Sequence, residues 1–467
     1  MSDTTPPAAR TYPEVVEVEQ AAAELDADVR PPGSKSLTNR ALICAALADA
    51  PTTLEGVLFA DDTEAMLQCL HDLGVGVTVD CAGARVVVEP TAALGGDGAL
   101  LDARQSGTTS RFVMPVAALG SGTIVLDGAP QLRARPMADL IDALVALGAS
   151  VEPLGDPGFL PVTIEATGLA GGTIQVAGDV SSQFLSGLLL SGPRMRDGLT
   201  VSVTTELVSV PYVEMTLAAM AAFGAVSTSD GLSDAGPMNT APAGDDPTDV
   251  AARRIRVEPG GYRSPGTYRI EPDASAASYF LAAAAIRGGR VRVEGLGTES
   301  LQGDVAFVDA LERMGAHVER TPTSLEVRGG GALHGVDVDF ADISDTAQTL
   351  AVVAPFADSP TTITGIGFIR RKETDRIAAT VTELRRCGIA AEELDDGIRI
   401  HPGSPQPATV QTYDDHRMAM SFALLGLRVP GIRIADPGCV AKTFPDYWDA
   451  LDQLRRPGAP TAENAPA

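Results

Sequence analysis

Lysine is almost absent from this 467-residue chain: Lys35, Lys372 and Lys442 are the whole set, and the other basic residues are arginines. A chain that has exchanged lysine for arginine nearly everywhere keeps lysine where a compact ammonium or a titratable proton is needed, because a planar guanidinium serves neither role. Each of the three lies in a dense polar string: Pro-Gly-Ser-Lys-Ser-Leu-Thr-Asn-Arg, Arg-Lys-Glu-Thr-Asp-Arg and Ala-Lys-Thr-Phe-Pro-Asp-Tyr. They are the first candidates for chemistry. Positive charge is scarce overall, with 35 Lys and Arg against 61 Asp and Glu and a net charge of −26. That balance excludes nucleic acid and anionic membrane as general partners. With few aromatics and abundant Ala, Gly and Asp, it matches the carboxylate-rich surface expected in a salt-loving cell, where concentrated cations screen it.

Paired cysteines are also missing. Cys44, Cys69, Cys81, Cys387 and Cys439 show no C-x-x-C or framework spacing, which excludes a disulfide scaffold and a zinc site and makes the cytoplasm the expected compartment. The longest apolar runs, such as Tyr279–Ile286, fall far short of the roughly 20 residues a bilayer span needs. The polar N-terminal stretch lacks the basic and apolar regions of a signal peptide, so none is expected.

What is present is repetition. A helical pattern ending in an apolar residue and a glycine recurs at Gly74, Gly148, Gly224, Gly315 and Gly388. Each glycine suits a left-handed residue closing a helix before a strand. A sixth, shortened copy is Tyr447–Leu454. A second helix type, apolar nearly all round and therefore buried, recurs over Ser36–Ala48, Thr109–Leu119, Ser182–Leu190, Ser275–Ile286, Asp345–Phe356 and Asp415–Leu425, each opening on Ser, Thr or Asp as a cap. Both series lengthen at the same step, around a Ser-, Asp-, Gly- and Pro-rich stretch from about 226 to 252, read as a flexible insertion. The chain is therefore expected to hold six units of about 70 residues. Three occupy an inserted domain, 33–271, and three a discontinuous one, 1–32 with 272–467. The Pro- and Ala-rich tail from Pro457 is expected to be disordered.

The unusual polar clusters sit where these helices begin. Helix N-termini present free N–H groups and about half a positive charge, so several starts facing one cleft would bind a small anion even in an acidic protein. Lys35, Ser36 and Arg40 form one cluster, with Arg40 one turn after Ser36. Gly107-Thr108-Thr109 offers bare backbone, Arg135 precedes Pro136, and Ser181-Ser182-Gln183 opens the third buried helix. In the second half the candidates are Asp345, the charged string Lys372, Glu373, Asp375 and Arg376, and Asp414-Asp415-His416-Arg417 before an apolar helix. The plain alternatives are capping side chains and an exposed salt-bridged turn.

In this order the strings resemble the 5-enolpyruvylshikimate-3-phosphate synthase family. The motifs are Pro-Gly-Ser-Lys-Ser-x-x-Asn-Arg, Ser-Gly-Thr-Thr-x-Arg, Ser-Ser-Gln-Phe, Ser-Pro-Gly-Thr-Tyr, Arg-Lys-Glu-Thr-Asp-Arg, Asp-His-Arg-Met-Ala-Met and Ala-Lys-Thr-Phe-Pro-Asp-Tyr, spread from about Val29 to Leu454. The resemblance implies an α/β fold, a two-domain inside-out α/β barrel with three βαβαββ repeats per domain. It implies transfer of the enolpyruvyl group of phosphoenolpyruvate to the 5-hydroxyl of shikimate 3-phosphate, with no metal and no organic cofactor, in a protein expected to be monomeric and open to inhibition by glyphosate. It assigns Lys35, Ser36, Arg40, Ser181, Ser182, Gln183, Ser209, Tyr212, Asp345 and Lys372 to shikimate 3-phosphate. Lys35, Gly107, Arg135, Gln183, Arg376, Arg417 and Lys442 go to phosphoenolpyruvate, whose carboxylate and phosphate suit bidentate arginines. Asp345 resembles the base and Glu373 the proton-transfer residue at the methylene carbon, with Lys35 and Lys442 assisting or acting electrostatically.

Two positions depart from the pattern: Phe368 stands where Asn is frequent, and Gln105 replaces another Asn. Two other readings compete. The related transferase acting on UDP-N-acetylglucosamine carries a loop cysteine where this chain has Pro130, and it lacks the Ser-Ser-Gln-Phe and Lys-Glu-Thr-Asp-Arg pair. A silent anion-binding protein of the same fold would be expected to have lost some of Lys35, Asp345, Glu373 or Lys442.

Overall fold

The computed structural model describes residues 11–178, 182–230 and 253–456. They form two compact units: Gly33–Ile270, and residues 11–32 with 271–456. The repeat is visible in the sheets. Among the described residues there are six small sheets, and five follow one scheme. In the sheet of Ala99–Asp102, Ser121–Asp127, Val162–Thr167 and Ser150–Pro153, the first pair is parallel (Ala99 opposite Ile124) and the others are antiparallel (Ser121 opposite Thr167, Ser150 opposite Glu165). The sixth sheet is a shortened version, with Ala408–Val410 parallel to Ile432–Ala435 and Val15–Glu17 antiparallel to it. Each unit closes on itself. Thr267–Arg269, the last strand of the first unit, pairs with Thr52–Glu55, and Leu25–Val29 pairs with Gly289–Glu294 in the second. The fold is the expected two-domain α/β architecture with three repeats per unit.

Alternation places one face of each strand inward, as in Ser121–Asp127, where Ile124 and Leu126 are fully buried. The buried helices fill the interiors. Lys35–Ala46, Gly107–Ala118 and Ser182–Ser191 pack on one another in the first unit; Ala274–Arg287, Ala347–Val353 and His416–Gly426 do so in the second. In the second trio hydroxyls meet where the helices converge: Ser278 Oγ lies 3.1 Å from Thr349 Oγ1, which lies 3.3 Å from Ser421 Oγ. The helices of the first, glycine-terminated series end at Gly74, Gly148, Gly224, Gly315 and Gly388, all left-handed, with φ from 74 to 104°. Tyr447–Leu454 is helical as expected.

Two local expectations change. The caps lie upstream of the residues expected to open the buried helices. Ser34 accepts from the Leu37 amide, Ser106 from Thr109, and Asp273 from Ala276. Asp345 is not the cap of its helix, a position taken by Thr346; it lies in a 3-10 turn, Ser344–Thr346, and its carboxylate accepts from three cations. Asp415 caps as expected, accepting from the Arg417 amide. Residues 227–230 of the expected flexible insertion form a strand paired with Arg254–Val257. The rest of that insertion, 231–252, and the tail from Pro457 lie outside the described residues.

Candidate active site

In the first unit most of the candidates lie at the starts of four helices. Lys35 is the first residue of its helix, and its Nζ lies 3.3 Å from Asp62 Oδ2, both groups well shielded from solvent. Ser36 follows it. Arg40 turns inward rather than to the surface. Its Nε donates to Thr216 Oγ1 (2.8 Å), Nη1 to the Ser36 carbonyl (2.9 Å), and Nη2 to Ser186 Oγ (3.2 Å) and the Tyr212 carbonyl (3.0 Å). The guanidinium also lies over the Phe112 ring, 5.2 Å from its centroid, and the Tyr212 ring, 6.0 Å from its centroid, contacts that favour arginine over lysine. Burial pushes Arg40 down to about 10, with Tyr212 partly opposing. Arg40 thus ties Ser36 to Tyr212. Ser209, which caps the Tyr212 helix, holds a left-handed φ of 57°, a conformation costly for serine.

Gly107 is needed for space. A Cβ there would stand 2.9 Å from Arg135 Nη1 and 3.2 Å from Arg111 Nη1, so two guanidiniums crowd one bare helix start. Arg111 donates to Gln183 Oε1 at 2.5 Å, Gln183 donates on to Thr108 Oγ1 at 3.3 Å, and the Arg111 guanidinium lies over the Phe184 ring. Ser182 is buried at the opening of its helix; Ser181 lies outside the described residues. The expected Arg133–Arg135 pair divides: Arg133 forms an exposed bidentate pair with Asp127, while Arg135 is buried.

In the second unit the charges form one network. Asp345 Oδ1 accepts from Lys372 Nζ (2.6 Å) and Arg376 Nη1 (3.2 Å), and Oδ2 accepts from Arg417 Nη2 (2.7 Å). Arg376, almost wholly buried, reaches Asp415 through Nε (2.7 Å) and Glu373 through Nη2 (2.8 Å). Glu373 Oε1 lies 3.1 Å from Lys442 Nζ. Arg376 being buried, the exposed salt-bridged turn is overturned for this string. Asp375 caps the helix that Arg376 begins. Phe368 faces Lys372, its ring centroid 5.6 Å from Nζ, so the apolar replacement supplies a cation–π contact.

Burial opposes ionisation of Asp345, but Arg417, Lys372 and Arg376 outweigh it and hold the carboxyl well below the usual carboxylate range. Burial likewise pushes the Lys372 ammonium down, against the pull of Asp345. Asp304 behaves oppositely. Burial first, then the Asp345 carboxylate, push it up to about 6, against a hydrogen bond from Ser275 and the charge of Arg417. A raised folded pKa means the native state keeps a proton that the unfolded chain releases. Stability therefore falls as pH rises from about 4 to about 6, by about 3 kcal/mol in all. Asp304→Asn is expected to unfold at a higher temperature than the parent at pH 8, with the gap closing toward pH 4. A gap independent of pH would remove this account.

Sequence reading missed Arg111, Asp62 and Asp304. Arg111 stands in the Ser-Gly-Thr-Thr-x-Arg string, one turn after Gly107, and that spacing was the available signal. Asp62 and Asp304 gave none, since each acts through a contact remote in sequence. Burial pushes Cys44, Cys69 and Cys387 up to about 12, so these thiols are not nucleophiles.

The family model for EPSP synthase (3-phosphoshikimate 1-carboxyvinyltransferase) matches residues 19–235 and 247–451. A 3-phosphoshikimate 1-carboxyvinyltransferase of Nostoc punctiforme is 43% identical over 448 residues, covering 94% of this chain and 99% of its own. One from Cupriavidus taiwanensis is 44% identical over 443 residues, covering 92% and 96%. The solved EPSP synthase of Acinetobacter baumannii superposes with a TM-score of 0.76 at 25% identity, over 94% of this chain and 98% of its own. The enolpyruvyl transferase NikO of Streptomyces tendae shares the fold, with a TM-score of 0.72 at 21% identity over 96% and 97% of the two chains.

Proposed function

This chain belongs to the EPSP synthase (3-phosphoshikimate 1-carboxyvinyltransferase) family, and from that premise we propose how its residues divide the reaction. The enzyme transfers the enolpyruvyl group of phosphoenolpyruvate to the 5-hydroxyl of shikimate 3-phosphate, releasing phosphate, in the shikimate route to aromatic amino acids. The transferase acting on UDP-N-acetylglucosamine is not favoured. One observation carries the residue assignment: in a chain of net charge −26, four buried or half-buried cations, Lys372, Arg376, Arg417 and Lys442, are drawn into one network with Asp345, Glu373 and Asp415. Such a concentration of cations suits a small, multiply charged anion.

Phosphoenolpyruvate is held by Lys35, Gly107, Arg135, Gln183, Arg376, Arg417 and Lys442. Shikimate 3-phosphate is held by Lys35, Ser36, Arg40, Ser181, Ser182, Gln183, Ser209, Tyr212, Asp345 and Lys372, with Arg40 also tying Ser36 to Tyr212. As the substrate anions engage Lys372 and Arg417, those cations loosen their hold on Asp345, and its basicity rises toward that needed to take the 5-hydroxyl proton. The hydroxyl oxygen then bonds to C2 of phosphoenolpyruvate while Glu373, supplied by the Lys442 ammonium, passes a proton to the methylene carbon. Loss of phosphate from this adduct, with return of a methyl proton, restores the vinyl group. Phosphate release measured with both substrates, and with each alone, tests the assignment of function. Release with both only, with the enolpyruvyl product seen by mass spectrometry, is expected, and glyphosate should compete with phosphoenolpyruvate in that assay.

The finer reading is a monomeric, cytoplasmic, salt-adapted enzyme that takes no nucleic acid or membrane as partner. Its support is the net charge and the three-lysine composition; no helix among the described residues is long and apolar enough to cross a membrane. Self-repulsion of the acidic surface predicts that activity and unfolding temperature rise with potassium chloride up to molar levels. A flat salt profile would leave the composition as codon bias plus ordinary acidity. Sedimentation at the 48.1 kDa of one chain checks the monomer.

A further inference from the structure

One fully buried carboxylate has no part in the reaction as assigned. Glu383 lies on the Arg376–Arg386 helix, two turns beyond Arg376. Its Oε1 accepts from the Tyr413 hydroxyl (2.7 Å), and its Oε2 accepts from the Gln411 amide (2.9 Å) and Arg386 Nε (2.8 Å). A buried carboxylate is costly unless it is hydrogen-bonded. Here two of the three donors come from the turn that joins the Ala408–Val410 strand to the His416–Gly426 helix.

That turn is strained. Tyr413 and Asp414 are consecutive, neither is glycine, and both hold φ at 56° in the left-handed region. Non-glycine residues enter that region singly and at a steric cost, and such strain persists only where surrounding contacts enforce it. The turn delivers Asp415, whose amide donates to the Thr412 carbonyl at 2.9 Å. The fully buried Asp415 carboxylate binds Arg376 through Nε and Nη2 and accepts from the Arg417 amide. Tyr413 itself is 41% exposed, so the ring adds little to the core and the committed part of the side chain is its hydroxyl.

We infer that Glu383 and Tyr413 are positioning residues: they brace a strained turn so that Asp415 orients Arg376 and Arg417 toward phosphoenolpyruvate. The inference rests on the assignment of those two arginines made above. Without the brace the turn relaxes away from its left-handed pair, and Asp415 shifts with it.

Steady-state kinetics with each substrate varied, at a temperature well below unfolding, test this. Tyr413→Phe is expected to raise KM for phosphoenolpyruvate about tenfold, as for loss of a hydrogen bond to a charged group, while KM for shikimate 3-phosphate stays within about twofold. Glu383→Gln should act in the same direction. Adding Asp414→Gly to Tyr413→Phe should restore much of the phosphoenolpyruvate affinity, because glycine holds a positive φ without steric cost; a merely structural brace would show no such rescue. Equal rises in both KM values, or none in either brace variant, would overturn the inference. Arg417→Gln run alongside separates the two failures. An unchanged phosphoenolpyruvate KM there removes the arginine assignment and the brace with it, whereas a raised KM there with none in Tyr413→Phe removes the brace alone.

Discussion

Asp345→Asn lowers kcat by about a hundred- to ten-thousand-fold, the range expected when a general base is removed. The replacement keeps the shape and one acceptor oxygen, so Lys372 and Arg376, which meet Oδ1, retain a hydrogen-bond partner. It removes the charge, and with it the ability to take the 5-hydroxyl proton. It also leaves three cations short of a counter-charge, and breaking a buried pair costs roughly 3–5 kcal/mol. The sign of the pH dependence follows from the depressed folded pKa. The stabilisation is fully present above the unfolded value of about 3.9, and it is lost as pH falls through the folded one. The variant's stability deficit is therefore largest near neutrality and shrinks in strong acid. Turnover by phosphate release has to be compared at a temperature where both proteins are folded. Parent-like turnover in folded Asp345→Asn would remove Asp345 as the base.

The repeat was legible because it rests on local chemistry. A glycine that must be left-handed at the end of a helix is marked by its identity, and five such glycines at near-constant spacing mark a fold. Helix type was legible for the same reason, since a helix apolar all round can only be buried. Cap positions were misread by two or three residues because Ser, Thr and Asp cluster at every start. Ser34 and Ser36 are equivalent in composition, and only the chain's turn into the helix selects Ser34. Asp345 shows the limit most clearly. An aspartate ahead of an apolar helix reads as a cap, but three cations from distant parts of the sequence outbid the backbone N–H groups for its oxygens. Arg40 was legible as a partner of Ser36 one turn away, but not its other contacts, because the hydroxyls and carbonyl that hold it come from residues 186, 212 and 216. Contacts of that kind belong to tertiary structure, and a single sequence carries no signal for them.

Lys442→Met is expected to raise KM for phosphoenolpyruvate by about a hundredfold, within the 2–5 kcal/mol that follows truncation of one partner in a buried, charged site. Methionine keeps much of the aliphatic stem and loses the ammonium, so the change isolates the charge and its proton. KM for shikimate 3-phosphate should move little, since Glu373 keeps Arg376 on its other oxygen. An unchanged dependence on phosphoenolpyruvate would refute the assignment. Lys442→Arg then separates two roles that Met removes together. Arginine preserves the positive charge beside Glu373, and its guanidinium does not release a proton at working pH. If Lys442 only stabilises charge, Lys442→Arg should recover most of the affinity and the rate. If its ammonium supplies the proton that Glu373 passes to the methylene carbon, affinity returns while kcat stays low. A chain with 35 basic residues and only three lysines predicts the second outcome, because an electrostatic role alone would have let arginine replace lysine here too.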